Sequence, residues 1–529
     1  MAPLVTASIN NHEGMDALLA RIGRASADVF REGPRYNAKG FTADDRMVGL
    51  CALRLGGSRL ADILHRALGL PGLTTLRKHT VIRPLRASPG LPTIAEVEEN
   101  IDAYTVGEDL PTGPPRIVHR VVMLDEIAVE RRARWDDDKT NMILGACREH
   151  SANVPLEFGD MADLELFFKE LQAGNVHLAT EATVVAFGAL SRDPHIYNPR
   201  PICISGTCKH EKGSEQAEFL RILNDAANNR KQHGNIEYRT VSFASDGEAK
   251  RGLALALEFM KFPLHESSPI YPLLKPLEFM NLRVGPDDIT PDKDFRHVMQ
   301  TTRGLLMRKA GINLLGFLIT PAIVKKHLMA AGNSQAHVDQ LLNPNDRQHV
   351  TLGYQLLREL WDLPDALPDD GPVFRSARRA LQIFGRLGYH LVMPWFISAR
   401  PPVSSLFYLQ PTAQGTKFMA NQTFVNIMIM IKNAFFCVAK AKIDIPDSEF
   451  FLILLGTDRL EKLFGLIRTA VGTASGFSHF ARELAWTLVR ARTSAYKTSK
   501  SARARDHELC PKSHATPIRE PTRATRAQF

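Results

Sequence analysis

Cysteine is scarce in this 529-residue chain, and the six present (Cys51, Cys147, Cys203, Cys208, Cys437 and Cys510) are scattered through mostly apolar segments. That usage excludes a disulfide-built scaffold and reads as reduced core thiols of an intracellular protein. The opening "MAPLVTASINNHEGMD" lacks the basic-then-apolar pattern of a secretory leader. Long uninterrupted apolar runs are also missing. The most apolar stretch, "FVNIMIMIKNAFFCVAKA" from Phe424, is broken by Asn426, Lys432 and Asn433, which predicts a Met-rich core helix and no membrane partner. Neither G-x-x-x-x-G-K-[ST] nor a G-x-G-x-x-G after a strand occurs. His65, His119 and His150 have no carboxylate or serine at useful spacing, so a hydrolase triad has no support. No internal repeat is visible.

The net charge of +9 is unevenly placed. From Arg490 to the end, ten Lys/Arg stand against three Asp/Glu, which leaves only two of the nine net positive charges to the other 489 residues. A basic tail of this kind suits phosphate contact or a nuclear address. Beyond Val471 the sequence is rich in Ala, Arg, Ser and Thr with little periodicity, and 472–529 reads as a basic, disordered tail.

Residues 1–115 read as helical and end in the Pro-rich "VGEDLPTGPPR". Within them, 42–80 has the punctuation of a helix-turn-helix. Thr42 suits a first cap, Gly56-Gly57-Ser58 a break, Pro71-Gly72 a second break and Thr74 a cap. The last short helix carries Arg77, Lys78 and His79, as a DNA-reading helix would. A solvated basic end of a small bundle fits the same pattern.

Strand patterns begin at 116. "RIVHRVVMLDEIAVE" is an apolar, β-branched run with an acid inside it, and "DDDKT" and "NMILGACREH" suggest that it forms a hairpin with a second strand. Asp136-Asp137-Asp138 reads as a solvated turn. "RPICISGTCKH" is a third strand, "SEQAEFLRILNDAANNRKQ" a helix, and "IEYRTVSFASDGEA" a fourth strand ending at Asp246-Gly247. The predicted core, 116–250, therefore runs β, β, β, α, β. Residues 251–450 read as a helical insertion, and 451–471 as a single helix returning to the core.

That last helix contains "GTDRLEKLFGLIR", where Leu460, Leu463, Phe464 and Ile467 form one apolar stripe. Asp458 and Glu461, three apart, fit a capping box. Glu461 also sits at the rim of a core-facing stripe, where it can complete a set with Asp125 and Asp246, 336 and 215 residues upstream of it. Gathered carboxylates would repel one another without a cation. They suit Mg²⁺ or Mn²⁺, and two such ions about 3.5–4 Å apart serve phosphodiester cleavage and joining. Cys203, Cys208 and His210 are a partial ligand cluster that falls short of a metal site.

The order of acid-bearing strand, hairpin, third strand, helix, Asp-Gly strand end, helical block and acid-bearing helix resembles the RNase H-like transposases. The likeness is to the P element-type and THAP-associated families. "LDEIAV" resembles the family's first acid motif and maps it to Asp125. "ASDGEA" maps the second to Asp246, and "TDRLEKLFGLIR" maps the third to Glu461. "DKDFRHVMQTTRGLL" is similar to the start of the family's helical insertion through His297 and Arg303, and "LPGLTTLRKH" to its helix-turn-helix. No Cys pair with Cys and His at finger spacing precedes residue 115, so the zinc-binding THAP module is lacking. Gln300 stands where the resemblance implies Lys and Gly304 where it implies Asn, which leaves GTP binding open.

The expectation is an α/β protein. Its RNase H-like mixed sheet is interrupted by a large all-helical insertion and preceded by a helix-turn-helix-like region. The resemblance implies a nuclear DNA transposase with a two-metal acidic site at Asp125, Asp246 and Glu461. Its partners would be element ends, target DNA and a second copy of the chain. A domesticated, non-cleaving DNA-binding or scaffold protein is the alternative.

Overall fold

The computed structural model describes residues 41, 43–79, 85–105, 114–136, 140–191, 196–346, 349–396 and 421–471. The tail 472–529, Asp137 and Asp138 lie outside them, as do Thr42 and residues 1–40, 80–84 and 106–113 of the N-terminal region expected to be helical. The chain divides into two units, 1–80 with 489–529, and 81–488.

In the first unit, helix α1 (Ala43–Leu68) contains the expected break, because Gly57 adopts φ 74° and leaves the helical region. Pro71 and Gly72 then separate it from α2 (Leu73–His79). Thr74 lies inside α2 and does not cap it; Gly72 instead gives its carbonyl to the Leu76 amide. Gly49 and Leu76 touch across the two helices so closely that a β-carbon at 49 would lie 2.9 Å from a Leu76 methyl. Arg77 and Lys78 are exposed on α2, and His79 is its last residue.

The second unit is built on a six-stranded mixed sheet. After α3 (Ile94–Thr105) comes β1 (Arg116–Ala128), whose long apolar, β-branched sequence suits a central strand buried on both faces. The expected hairpin partner is different. Strand β2 (Arg134–Asp136) pairs with β3 (Met142–Leu144) as a separate ribbon. After α4 (Met161–Ala173), β1 takes its antiparallel partner from β4 (Glu181–Ala189), which then pairs with β5 (Arg200–Thr207). The β4 sequence "EATVVAFGA" is buried along nearly all its length, so it shows no polar alternation to mark it as a strand.

Helix α5 (Gly213–Asn229) and the short β6 (Gln232–His233) lead to β7 (Ile236–Ser245), which lies parallel to β1 on its other side. Helix α6 (Ala249–Phe259), the ribbon of β8 (Phe262–Pro263) and β9 (Arg283–Val284), and the one-turn α7 (Tyr271–Leu274) follow. Strand β10 (Thr290–Lys293) then adds parallel to β7, giving the order β10-β7-β1-β4-β5.

The expectation of an all-helical stretch from 251 to 450 is therefore corrected in three places. Residues 290–293 belong to the central sheet, 262–284 contains a ribbon, and β11 (Ile312–Leu314) pairs with β12 (Phe317–Ile319). Each strand is only two to four residues long, too short for a period to show in sequence. Around the hairpin, α8 (Phe295–Leu306), α9 (Pro321–Ala330), α10 (Gln335–Leu341), α11 (Val350–Trp361) and α12 (Pro372–Phe396) share one apolar core.

The β-strand period divides β1 between two cores. Val122 and Leu124 face α3, α5 and α6. Val121, Met123 and Ile127 face α13 (Asn421–Asp444) and α14 (Asp458–Val471). Helix α13 is long and apolar enough to cross a membrane, but it packs against the sheet as expected for a core helix. Its interrupting polar groups are bonded there: Asn433 accepts from Thr290 at 2.7 Å and Lys440 donates to the Val241 carbonyl at 2.8 Å. Leu460, Leu463, Phe464 and Ile467 bury the expected stripe of α14. Leu463→Ala is expected to destabilise the chain by about 2–5 kcal/mol through cavity formation. In denaturant unfolding this would lower the midpoint and leave the slope unchanged.

Candidate catalytic acid site

Three neighbouring parallel strands end side by side at one edge of the sheet. Met123 of β1 is in register with Ala244 of β7, so Asp125 and Asp246, each two residues further on, stand at the same level. Lys293 of β10 is in register with Ser245, and the Asp294 amide donates to the Ser245 carbonyl at 3.2 Å, which brings Asp294 to that level as well. Asp125 continues the odd-numbered face that packs on α14, whereas Glu126 points to the opposite face. There Glu126 pairs with Arg251 of α6 at 2.5 Å and accepts from Thr183 at 3.2 Å. Carboxylate oxygens of Asp125, Glu126 and Asp246 lie within 4.8 Å of one another.

Glu461 arrives from α14, whose start is tied down by β10. The Gly456 amide donates to buried Asp292 at 2.9 Å and the Thr457 amide to Asp294 at 2.9 Å. Gly456 is required here: its φ is 79°, and a β-carbon would lie 2.6 Å from an Asp294 carboxylate oxygen. The capping box expected at Asp458 and Glu461 is not formed, since Asp458 is already the first helical residue. Its carboxylate instead pairs with Arg296 and, at 2.8 Å, with Lys462. Glu461 faces the strand ends, 3.6 Å from His297 Nδ1, and with Asp294 and His297 forms a second group of donors within 4.8 Å. Asp294 and His297 were thus site residues that sequence reasoning placed only at the start of the insertion. Their spacing within "DKDFRH", next to an undetected strand, was the signal.

The two groups share one electrostatic field. Burial, then the neighbouring charges of Glu126, Asp246 and Glu461, push Asp125 up to about 7. Burial and Asp294 also raise Glu461. His297 is raised to about 9, chiefly by its hydrogen bond to Asp294, and so carries a positive charge at neutral pH. For Asp294, burial works upward, but His297 and the amides of Thr457 and His297 outweigh it and hold the carboxylate below its usual range. Lys293, lowered by burial to about 8, donates to Ser245 Oγ at 3.1 Å and to the Asp246 carbonyl, fixing the end of β7.

This oxygen-rich set fits a hard divalent cation. Asp125 and Asp246 converge, and Asp125 is a carboxylate held in a field that favours its neutral form unless a cation is near. Arg303 plays another part: it is buried and donates to the carbonyls of Leu341 and Asp346, bracing the helical core. Asp136 accepts from Thr140 at 2.8 Å, as a turn residue does.

A raised folded-state pKa means that stability is complete below the unfolded value and lost as pH rises through the folded one. In metal-free buffer, Asp125→Asn is therefore expected to raise the melting temperature at about pH 7.5 and to change it little at about pH 4.5. An equal offset at both pH values would contradict the raised carboxylate.

No protein-family model matches the chain, and no curated protein sequence matches it. Among solved structures, it is similar to the Drosophila P element transposase strand transfer complex, with a TM-score of 0.50 and 13% identity over 91% of this chain and 98% of that one. At that identity the likeness shows a shared fold with a central mixed sheet.

Proposed function

We propose that the chain is a transposase-like protein whose acid site cleaves and joins DNA strands. The observation that carries this reading is the register of β1 and β7. It sets Asp125 and Asp246 side by side, where Glu461 from the far end of the chain adds to the same field. The shared fold with a transposase solved as a strand transfer complex supports it. So does the sequence of an acid-bearing strand, two antiparallel strands, a helix and an Asp-Gly strand end, which is the RNase H-like order. On this reading 116–250, β10 and α14 form the catalytic core, the remaining part of 251–450 is the insertion, and DNA and a nuclear location follow.

Asp125 and Asp246 would hold Mg²⁺ or Mn²⁺, and Glu461 would complete the ligand set. Bound there, the metal would supply an activated water or 3′-hydroxyl and a stabilised leaving oxygen for in-line attack at phosphorus. The chain's own contribution is placement. The β10 carboxylates hold the start of α14, and Lys293 fixes the backbone beside Asp246. Cationic His297 partners Glu461 and reduces the repulsion that Glu461 exerts on Asp125. One observation favours a second reading: Glu461 groups with Asp294 and His297, while Asp125 and Asp246 group with Glu126. A domesticated descendant that binds DNA without cutting it would keep this arrangement.

The two readings separate in a plasmid-nicking and oligonucleotide strand-transfer assay with Mg²⁺ or Mn²⁺. Asp125→Asn, Asp246→Asn and Glu461→Gln are each expected to lower activity by at least about 10²-fold while DNA retardation persists. Equal nicking by wild type and Asp125→Asn would falsify the catalytic proposal. Salt-dependent DNA binding with no nicking in the wild type would favour the domesticated reading.

The exposed Arg77 and Lys78 are assigned to phosphate or base contact. Replacing both with Ala is expected to weaken DNA binding and reduce the slope of log affinity against log salt by about 2. An unchanged slope would return α2 to a solvated bundle end.

A further inference from the structure

Away from the acid pair, four metal-type donors converge from three separate segments. Cys147 and His150 lie in the loop after β3, His177 in the loop before β4, and Cys208 directly after β5. Their ligand atoms all fall within 4.8 Å of one another. Sequence spacing concealed this set, because Cys208 is 58 residues from His150 and 31 from His177. Cys203, which the sequence grouped with Cys208, faces the opposite way into the apolar core.

The backbone places the donors before any ion is considered. The Cys147 amide donates to the His177 carbonyl at 2.9 Å, the Arg148 amide to Gly206 at 2.9 Å, and the Ala179 amide to Gly145 at 2.9 Å. Glu149 fixes the fourth donor by accepting from Thr207 Oγ1 at 2.5 Å and from the Cys208 amide at 3.1 Å.

The spacing matches tetrahedral coordination. With metal–sulfur bonds of about 2.3 Å and metal–nitrogen bonds of about 2.0–2.1 Å, ligand-to-ligand edges come to about 3.3–3.8 Å. Nδ1 of His150 lies 3.1 Å from Cys147 Sγ and 3.8 Å from Cys208 Sγ, and Nδ1 of His177 lies 3.7 Å from Cys208 Sγ. The His150 and His177 ring centroids are 4.1 Å apart, too close for two imidazolium cations to be favourable neighbours. His210 stands outside the four, with Nδ1 3.2 Å from Cys208 Sγ, where it can orient or donate to the sulfur.

We propose that Cys147, His150, His177 and Cys208 form a closed, structural zinc site that staples the loops of β3, β4 and β5. Two sulfurs and two imidazole nitrogens suit Zn²⁺ and disfavour the hard cations expected at the carboxylates.

The staple bears on the acid site through Arg148, the residue after Cys147. Arg148 makes two 2.5 Å bonds to Glu211 and donates to Thr183 at 2.9 Å, and Thr183 donates to Glu126 beside Asp125. The zinc site thus braces the sheet end that carries the acids. It stands whether or not those acids cleave DNA.

Full-length protein expressed with zinc and purified under reducing conditions is expected to hold about one zinc per chain by elemental analysis. Replacement by Co²⁺ should give the visible bands of a tetrahedral site with sulfur-to-cobalt charge transfer. C147S/C208S should lose both signals, whereas D125N/D246N and H210A should keep them. If the serine variant does not fold, the wild type still answers: Cys147 and Cys208 should react with a thiol probe only after a chelator removes zinc. Zinc no higher than in C147S/C208S, a Cys147–Cys208 disulfide under reducing conditions, or thiol reactivity indifferent to chelator would each overturn the proposal. Zinc lost from D125N/D246N alone would place the ion at the carboxylates and overturn it equally.

Discussion

Two hydrogen bonds hold the candidate site together: the amides of Gly456 and Thr457 donating to the carboxylates of Asp292 and Asp294. They cross 164 and 163 residues of sequence and tie α14 to the edge strand of the sheet. Without β10 the Gly456 and Thr457 amides would lose their carboxylate partners, and Glu461 would lose the anchor nearest the strand ends. The apolar stripe of α14 supplies burial free energy but little direction, because a stripe can slide along a sheet face. The two amide bonds, with glycine at the point of closest approach, set the position.

Charge is concentrated at the half-buried ends of the parallel strands. Asp125, Glu126, Asp246, Asp294 and Glu461 meet at one edge, and each cation near them has an assigned carboxylate or carbonyl. Arg251 pairs with Glu126, His297 with Asp294 and Glu461, and Lys293 with the end of β7. Burial with like charge moves Asp125 to about 7. Perturbed groups gathered at a strand edge are the pattern that marks a candidate functional site. The Cys/His cluster differs in kind, with soft donors, closed geometry and a place in the scaffold.

Much of this was legible in the sequence because it rests on local patterns. The apolar stripe at Leu460, Leu463, Phe464 and Ile467 marked the buried face of α14, and the β-branched run with an inset acid marked β1. Gly57 marked the break in α1. What escaped lacks a local signature. Strand β4 is buried on both faces and so shows no alternation, and β10 is four residues with a proline and two charges. Missing β4 led to the wrong hairpin, and missing β10 hid Asp292 and Asp294 as anchors and His297 as a partner of Glu461. The capping box at Asp458 failed because the structure gives that carboxylate to Arg296 and Lys462. The Cys/His cluster was invisible because proximity came from pairing of β4 with β5 and from the loops that this pairing aligns.

One cation bound jointly by Asp125, Asp246 and Glu461 is what the proposed chemistry requires. The most direct test is a crystal structure of the chain soaked in Mn²⁺, with the ion located by anomalous scattering. An anomalous peak is expected within direct coordination distance of Asp125 and Asp246, with the Glu461 carboxylate turned toward it and away from His297. Absence of a peak at saturating Mn²⁺, or Glu461 still paired only with His297 beside an occupied aspartate pair, would contradict it.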